Sequence, residues 1–191
     1  MVEMNYKRES AKRVFAGEFR ACKFSEKFSS DEKAPTFVIT PTGETAARLF
    51  IVGVLTDKER TTTKDKSNTV YRARVNDNTG DFFISASSFQ PEAMMQLAKI
   101  ETPAIVAIVG KPKTFTKEDG SVFTSVNAES VTVVNKETRE MWRLDTAKST
   151  LNRIETMEKG GIKAIDNIKE RYNTDLETYK SIVNRALTKN V

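Results

Sequence analysis

Cationic and aromatic side chains recur along the predicted strands in the middle of this 191-residue sequence. Arg72 and Arg74 are separated by one residue, so both fall on the same face of a strand in which side chains alternate. Planar guanidinium groups pair with phosphates, and flat aromatic rings stack on the exposed bases of a single strand. The combination favours a face that binds nucleic acid. The residues that we predict on this face are Arg72, Arg74, Phe83, Phe89, Lys111, Lys113, Phe115, Lys117 and Phe123.

The neighbours of these residues support a binding role to different degrees. Phe115 lies in a polar hairpin sequence, which favours an exposed stacking platform. Phe83 follows Phe82 directly, so the two rings point to opposite faces of their strand. A phenylalanine in a barrel is more often part of the core, and the core is the favoured interpretation for Phe83 and Phe123. For the two arginines the alternative is a cross-strand ion pair, for example with Asp81.

The composition argues against most catalytic chemistry. The sequence has no histidine and a single cysteine, Cys22, which excludes an internal disulfide, a Cys/His zinc site and histidine-dependent triads. No acid pair or phosphate-binding loop is evident either. We therefore predict that the protein is not an enzyme and has no metal and no cofactor. The net charge of +5 leans basic, but alone it does not demand a polyanionic partner.

Nothing in the sequence predicts association with a membrane. Residues 1–5 carry charge where a signal peptide has an apolar core, and the longest uncharged apolar run, residues 103–110, is too short to span a bilayer. With one cysteine, the chain also suits a reducing compartment. We expect a cytoplasmic protein with one globular core.

The order of the predicted elements indicates the fold. A nearly continuous apolar strand over residues 47–56 contains Gly53, and a polar connector over residues 57–69 leads to a second strand over residues 70–75. A third strand after Gly80, a helix over residues 91–99 that begins with proline, and two further strands joined by an Asp-Gly turn complete the pattern. This order predicts a mainly β fold with flanking helices, in which a five-stranded OB-fold barrel precedes C-terminal helices.

Three segments follow from this pattern. Residues 1–35 are predicted to form an amphipathic helix, over residues 6–19, and a loop; residues 36–135 form the barrel; residues 136–191 form a helical interaction region. Trp142 is expected to pack the last region against the barrel. The helices either cover their own barrel or bind another subunit, and the length of the apolar stripe favours an interface for part of them. The predicted interface residues are Met141, Leu144, Leu151, Ile154, Ile165, Ile168, Leu176, Tyr179, Val183 and Leu187.

Several motifs of the barrel resemble a known family. They are the run 72–80 with its Asp-Asn-Thr-Gly turn, Phe89 ahead of Pro91, and the Glu-Ser-Val sequence at 129–131 that leads to Arg139 and Trp142. With these motifs the chain is similar, over residues 8–154, to the replication protein A-associated proteins of archaea. Members of that family are subunits with a single barrel that accompany the large subunit of a replication protein A type complex.

The resemblance implies an OB fold that binds single-stranded DNA during DNA replication and repair, and a larger partner subunit bound through the C-terminal helices. It also implies that Phe89 and Phe115 stack on bases. Large subunits of the family often carry a Cys/His zinc module, which this sequence cannot form, so the companion role fits better. Two alternatives stay open: a chiefly structural subunit with little DNA contact of its own, and an RNA-binding OB-fold protein.

Overall fold

The computed structural model describes residues 9–31, 34–62 and 69–188. Within these residues there are five helices and eight strands. In chain order they are α1 (Ala16–Phe19), β1 (Phe24–Lys27), β2 (Thr36–Ile39), β3 (Thr45–Ala46), β4 (Leu49–Thr62), β5 (Thr69–Asn76), β6 (Asp81–Ser87), α2 (Pro91–Lys99), β7 (Ala104–Thr116), β8 (Val122–Val133), α3 (Lys136–Lys159), α4 (Lys163–Tyr172) and α5 (Leu176–Leu187).

Five strands close into a barrel in the order β4-β5-β6-β8-β7. Neighbouring strands are antiparallel except β6 and β8, which are parallel. The helix α2 lies between the third and fourth barrel strands and buries Ala93 and Leu97 against the barrel core. This strand order and helix position are those of an OB fold, as predicted. The fully buried side chains of the barrel core include Ile51, Leu55, Val75, Phe82, Val106, Ile108 and Val126.

Gly53 lies where β4 passes closest to β5. A Cβ atom at this position would lie 2.6 Å from the carbonyl oxygen of Asn76, which no side chain tolerates. The register between the two strands shifts between Leu55 and Asp57, directly after this close approach. The glycine therefore permits the sharp strand bend that closes a small barrel, as the sequence predicted.

The N-terminal segment differs from the prediction of a helix over residues 6–19. Residues 6–8 lie outside the described residues, residues 9–15 are not helical, and the helix α1 begins only at Ala16. Lys12 pairs with the start of β4: its N–H donates to the carbonyl oxygen of Arg48, and its carbonyl oxygen accepts from the N–H of Phe50, both at 2.8 Å. Pairing with an existing strand satisfies the same backbone groups that a helix would, and it buries the apolar side chains of the segment.

The turn between β5 and β6 anchors α1 to the barrel. Asp77 is buried, and its carboxylate accepts the N–H of Ala16 at 2.8 Å as well as the N–H and hydroxyl of Thr79 at 2.8 and 2.7 Å. The hydroxyl oxygen of Thr79 accepts the N–H of Gly17 at 3.0 Å. Burial raises the pKa of Asp77 in spite of these hydrogen bonds. The Asp-x-Thr-Gly sequence therefore holds the N-terminal segment in place.

Two predicted segment boundaries differ in the structure. The strand at residues 36–39 was expected to open the barrel segment 36–135, yet β2 pairs with β1 and β3 in a separate three-stranded sheet, and the barrel begins at Leu49. In the predicted connector over residues 57–69, residues 57–62 are the end of β4 and Thr69 begins β5, while residues 63–68 lie outside the described residues. Long paired strands that project beyond a barrel need no buried residues, so their polar sequence resembles a loop.

The helix α4 packs on the small sheet. The hydroxyl of Tyr172 donates to the carbonyl oxygen of Ile39 at 2.6 Å and accepts the N–H of Lys23 at 2.9 Å. Burial raises the pKa of Tyr172 to about 12. Arg171 places its guanidinium 4.2 Å from the ring centroid of Phe24 and forms an ion pair with Glu26 at 2.6 Å. These contacts join the C-terminal region to the sheet that precedes the barrel.

The helices α3 and α5 cover the side of the barrel formed by the start of β4. Trp142 is buried, donates its indole N–H to the carbonyl oxygen of Phe50 at 2.8 Å, and meets the ring of Phe15 edge-on at 5.7 Å, which confirms its predicted packing role. Arg143, also buried, donates to the carbonyl oxygen of Ala186 in α5. Within the described residues, no helix is both long enough and apolar enough to cross a membrane.

A buried ion pair ties α1 to α3. Glu18 is completely buried, and its carboxylate accepts from Arg153 at 2.9 Å and from the hydroxyl of Thr42 at 2.5 Å. Arg153 also reaches Glu44 at 3.3 Å and Ser149 at 2.9 Å. A buried charge needs such partners, because a carboxylate without them would carry its full desolvation cost. The N-terminal segment and α3 therefore depend on each other.

Candidate nucleic-acid interface

The strand β5 exposes its two arginines on the outside of the barrel. Arg72 and Arg74 are exposed, while the alternate residues Ala73 and Val75 point into the core. The predicted division of this strand into two faces is therefore confirmed. In the part of the chain that the structure describes, neither arginine forms an ion pair, and Asp81 instead accepts from the amide of Asn76 at 2.7 Å. Both guanidinium groups are held by a rigid sheet.

The strand registers place polar residues in one row across four strands. Arg72 lies opposite Ser85, Ser85 opposite Asn127, and Asn127 opposite Lys111. The hydroxyl of Ser85 donates to the amide oxygen of Asn127 at 2.7 Å, which fixes the middle of the row. Paired residues point to the same face of a sheet. Arg72 and Lys111 therefore lie on one continuous outer surface, which we call the sheet face.

A second group on the sheet face is aromatic. Arg74 lies opposite Phe83, and the rings of Phe83 and Phe123 are 5.0 Å apart. Phe123 in turn lies opposite Phe115 on β7. Phe115 is 66% exposed and Phe123 is 38% exposed, whereas Phe83 is half-buried between its neighbours. The three rings point away from the barrel core, contrary to the favoured interpretation of Phe83 and Phe123 as core residues.

Phe89 marks the other end of the sheet face. It follows β6, precedes Pro91 at the start of α2, and is 82% exposed, the most of any large apolar residue described. With Lys111, Asn127 and Glu129 it lines an open cleft of about 350 Å³. A flat ring beside hydrogen-bonding groups in a cleft of this size is an arrangement suited to a nucleobase.

The predicted lysines lie along the hairpin of β7 and β8. Lys111, Lys113 and Lys117 are exposed, the first two on the same outward side of β7 as Phe115. Lys117 starts the turn that joins the strands, where its N–H donates to the carbonyl oxygen of Ser121 at 2.8 Å. In this turn a hydrogen bond from Ser121 lowers the pKa of Asp119. The structure thus brings all nine predicted residues to the sheet face or its two ends.

Carboxylates moderate the positive charge of this face. In the register of β4 and β5, Asp57 lies opposite Arg74 and Glu59 lies opposite Arg72. Glu129, between Lys111 and Arg48, accepts two hydrogen bonds from Arg48 at 2.5 and 2.8 Å, and this bonding raises the pKa of Arg48. The centre of the polar row is therefore uncharged, and the cations at its two ends lie beside carboxylates.

Two residues of this face were missed by the sequence reasoning. Asn127 is central to the polar row, and Arg20, from the C-terminal end of α1, places its guanidinium 5.8 Å from the ring centroid of Phe83. Asn127 could have been found from its alternation with the buried Val126 and Ala128. Arg20 could not, because its position depends on the docking of α1 onto the turn after β5.

The predicted interface residues of the C-terminal helices fall into two groups. Met141, Leu144 and Leu151 lie on one side of α3 and are 67%, 60% and 44% exposed. In contrast, Ile154, Tyr179 and Val183 are buried against the barrel and α5, so they are unavailable to a partner and the prediction is wrong for them. These residues face inward because α3 and α5 pack on Phe15 and Val52. The remaining four, which are half-buried or exposed, are Ile165, Ile168, Leu176 and Leu187.

No cluster of three or more His, Cys, Asp or Glu side chains that could hold a metal ion is found among residues 9–31, 34–62 and 69–188. Cys22 is buried, and its burial raises the pKa of the thiol. Its packing agrees with the interpretation of this residue as a small apolar side chain.

By sequence, the chain matches no protein-family model and no curated protein. By structure, it is similar to a chain of a replication protein A heterotrimer bound to single-stranded DNA, with a TM-score of 0.50 and 16% identity over 76% of this chain and 98% of that chain. The chain has an OB fold. It also matches the second single-stranded-DNA-binding protein of Mycobacterium smegmatis, with a TM-score of 0.39 and 20% identity over 46% of this chain and 86% of that one. Rim1, a mitochondrial single-stranded-DNA-binding protein of S. cerevisiae, matches with a TM-score of 0.35 and 17% identity over 47% of this chain and 94% of that one.

Proposed function

We propose that this chain is a non-enzymatic, single-stranded-DNA-binding accessory subunit of a replication protein A type complex, acting in DNA replication and repair in the archaeal cytoplasm. Bases stack on Phe89 and Phe115, and phosphates pair with Arg72, Arg74 and the lysines of the β7–β8 hairpin. The motifs quoted from the sequence and the similarity in fold to a heterotrimer chain support this proposal.

The observation that carries the proposal is the sheet face itself. Exposed rings and cations occupy the same side of the barrel, from Phe89 at one end to Phe115 at the other. From Lys111 to Phe115, four residues further on, β7 alone extends about 13 Å. A single strand of DNA laid along this face would meet a cation and an aromatic ring at each end of it. Single-strand binding needs this arrangement.

Titration of an oligo-thymidine of about 16 nucleotides, an upper site size for one OB fold, tests the proposal. We expect the affinity to fall steeply as the salt concentration rises. Binding releases cations that are condensed on the phosphates, and this release is more favourable at low salt. Each lost base stack costs about 1–3 kcal/mol, so a Phe89→Ala/Phe115→Ala variant, which loses two, should bind at least about thirtyfold more weakly.

Phe28→Ala is the matched control, because Phe28 is an exposed phenylalanine that contacts Phe37 in the small sheet and is not one of the nine predicted binding residues. It should bind like the parent protein. Equal affinity of the double variant and the parent would refute the stacking role, and absence of binding by the parent would refute DNA binding. Tighter binding of an oligo-uridine of the same length would favour the RNA-binding alternative.

The partner subunit is proposed to bind the outer side of α3. Met141, Leu144 and Leu151 form an exposed apolar stripe of about three turns, and exposed apolar stripes of this kind are typical of interfaces. This stripe also supports the alternative of a chiefly structural subunit. The two functions are separable, because the stripe and the sheet face involve different residues.

Substitutions on α3 test the partner interface more cleanly than removal of the C-terminal helices. Such a truncation would also remove Ile182, Val183 and Ala186 of α5 from the buried cluster. Leu144→Lys combined with Leu151→Lys should abolish co-purification of a larger OB-fold subunit from native cells, while oligo-thymidine binding by the isolated chain stays unchanged. A control pair at the exposed positions Ser181 and Asn184 of α5, each also changed to Lys, should still co-purify it. Retention of the partner by the first pair would contradict the proposed interface.

A further inference from the structure

Arg20 reaches the sheet face from outside the barrel. It directly follows the helix α1, is exposed, and places its guanidinium carbon 5.8 Å from the ring centroid of Phe83. Within the described ranges, Arg20 forms no ion pair with an acid. Its charge is therefore compensated only by the ring beneath it.

The position of Arg20 is fixed by the segment that carries it. Asp77 and Thr79 accept the backbone N–H groups of Ala16 and Gly17, and Glu18 is locked to Arg153. Phe19, next to Arg20, is buried and stacks on Phe82 at 5.8 Å between ring centroids. Since its neighbours are held in this way, the backbone of Arg20 has one position relative to β6.

Phe83 has two neighbours on the sheet face. Arg20 lies over its ring, and Phe123 contacts it at 5.0 Å with the two ring planes inclined by 43°. Phe83 is accordingly half-buried and offers little open ring surface to a base. The flat group that faces solvent at this point of the sheet face is the guanidinium of Arg20.

We propose that Arg20 is a base-stacking residue of the single-stranded-DNA site, for which Phe83 is the support. The inference rests on the proposed function and adds a platform from the N-terminal segment to those of the barrel. An exposed guanidinium near an aromatic ring can take a base onto its flat face, and bases stack on arginine as they do on aromatic rings.

The rival role for Arg20 is a simple ionic contact with phosphate, and the two roles predict different behaviour. A phosphate contact depends on charge, so Arg20→Lys would preserve it, and Arg20→Ala would lower the salt slope by about 0.7 for a single strand. Stacking depends on the flat group. Arg20→Lys should then bind as weakly as Arg20→Ala, with the salt slope of Arg20→Lys equal to that of the parent.

The experiment titrates the full chain with an oligo-thymidine that carries one 2-aminopurine, a base whose fluorescence falls when it stacks, moved stepwise along the strand. We expect Arg20→Lys and Arg20→Ala each to weaken binding by roughly tenfold, the size of one lost stack, and to reduce the quenching at one position of the probe. Phe83→Ala should reduce quenching at the same position.

Arg171→Ala is the control, because Arg171 also lies over a ring, that of Phe24, and also carries one charge, but it belongs to α4 and contacts the small sheet. It should bind within about twofold of the parent, as expected of a surface substitution away from the site. Parent-like binding by Arg20→Lys would overturn the stacking role. Binding by the parent with no difference between Arg20→Ala and Arg171→Ala would overturn the inference while leaving the proposed function intact.

Discussion

The two sides of the barrel use the same residue types in opposite ways. On the covered side, Arg143 and Arg153 are bound to α5 and to Glu18, and the ring of Trp142 is sealed against Phe15. On the sheet face, Arg72, Arg74 and Lys113 project into solvent, and the rings of Phe89 and Phe115 are largely exposed. Arginines and aromatic rings hold the fold together on one side and are left available on the other.

This difference separates structural residues from candidate binding residues. A side chain whose hydrogen bonds and packing are satisfied inside the protein has little to offer a ligand, whereas an exposed ring fixed on a rigid strand loses little entropy when a base stacks on it. The contrast can be measured, because residues of the covered side should affect stability and residues of the sheet face should affect binding.

The largest expected effect comes from comparing the alanine substitution of one aromatic residue on each side of the barrel. Trp142→Ala removes a buried ring and the hydrogen bond to Phe50, and should lower the free energy of unfolding by about 3–5 kcal/mol. Phe115→Ala removes an exposed ring and should change it by less than about 0.5 kcal/mol. Chemical denaturation with urea measures both.

The opposite pattern is expected for DNA. Phe115→Ala should weaken binding of oligo-thymidine, and Trp142→Ala should not, when measured under conditions where both variants are folded. A loss of binding with Trp142→Ala alone would show that the covered side contributes to the site and would remove the contrast between the two sides.

A smaller effect is expected from the acids at the edge of the sheet face. Asp57 and Glu59 lie opposite Arg74 and Arg72 and reduce the attraction for phosphates. The double variant Asp57→Asn/Glu59→Gln should bind oligo-thymidine about threefold more tightly at low salt, and the gain should vanish at high salt because exposed charges are screened.

Glu155→Gln is a suitable control for this variant, because Glu155 is an exposed carboxylate on α3 that pairs with Lys159. It raises the net charge of +5 by one, half the change that the double variant makes, without altering the sheet face. A similar gain in affinity with the control would mean that total charge, and not the local pairing of Asp57 and Glu59 with the arginines, controls binding.

A further effect concerns the pH dependence of stability where α4 packs on the small sheet. Burial raises the pKa of Tyr172 from 10.0 to about 12, so between these values the unfolded chain releases this proton while the folded chain keeps it. The free energy of unfolding should therefore fall as the pH rises through this window. In Tyr172→Phe the fall should be shallower, as followed by denaturation at a series of pH values. An identical slope in both proteins would contradict the burial of this hydroxyl.

The barrel strands were predictable because their physics is local. Alternation along β5 assigned Arg72 and Arg74 to one face, alternation along β6 placed Phe82 and Phe83 on opposite faces, and Pro91 marked the start of α2. These patterns depend only on neighbours in sequence. They identify the face of each side chain without knowledge of the rest of the chain.

The N-terminal segment and the inner side of α3 were not predictable in this way. Residues 9–15 have helical spacing but pair with β4, whose free backbone groups the sequence does not reveal. On α3, the apolar stripe drew attention to Met141 and Leu144, while the buried side includes Thr146 and Thr150, which look solvent-exposed in sequence. Thr146 satisfies its hydroxyl on the carbonyl oxygen of Trp142 at 2.6 Å, so it can be buried at little cost.

The candidate site was predictable in its members but not in its arrangement. Phe83 and Phe123 were expected in the core, and they face outward because β6 and β8 run side by side on the sheet face. Arg20 joins this group only through α1, which is distant from these strands in sequence. A contact made by docking two separate segments leaves no periodic signal in either one.

The ion pair between Glu18 and Arg153 has a consequence for synthesis of the chain. Glu18 precedes Arg153 by 135 residues, so it leaves the ribosome well before its partner. Until Arg153 has emerged, a buried Glu18 carboxylate would lack its cation. We therefore expect the barrel strands to assemble first and the N-terminal segment to settle only after α3 has emerged. Arg20 would then reach the sheet face last, so a nascent chain would have its barrel before it has its complete binding surface.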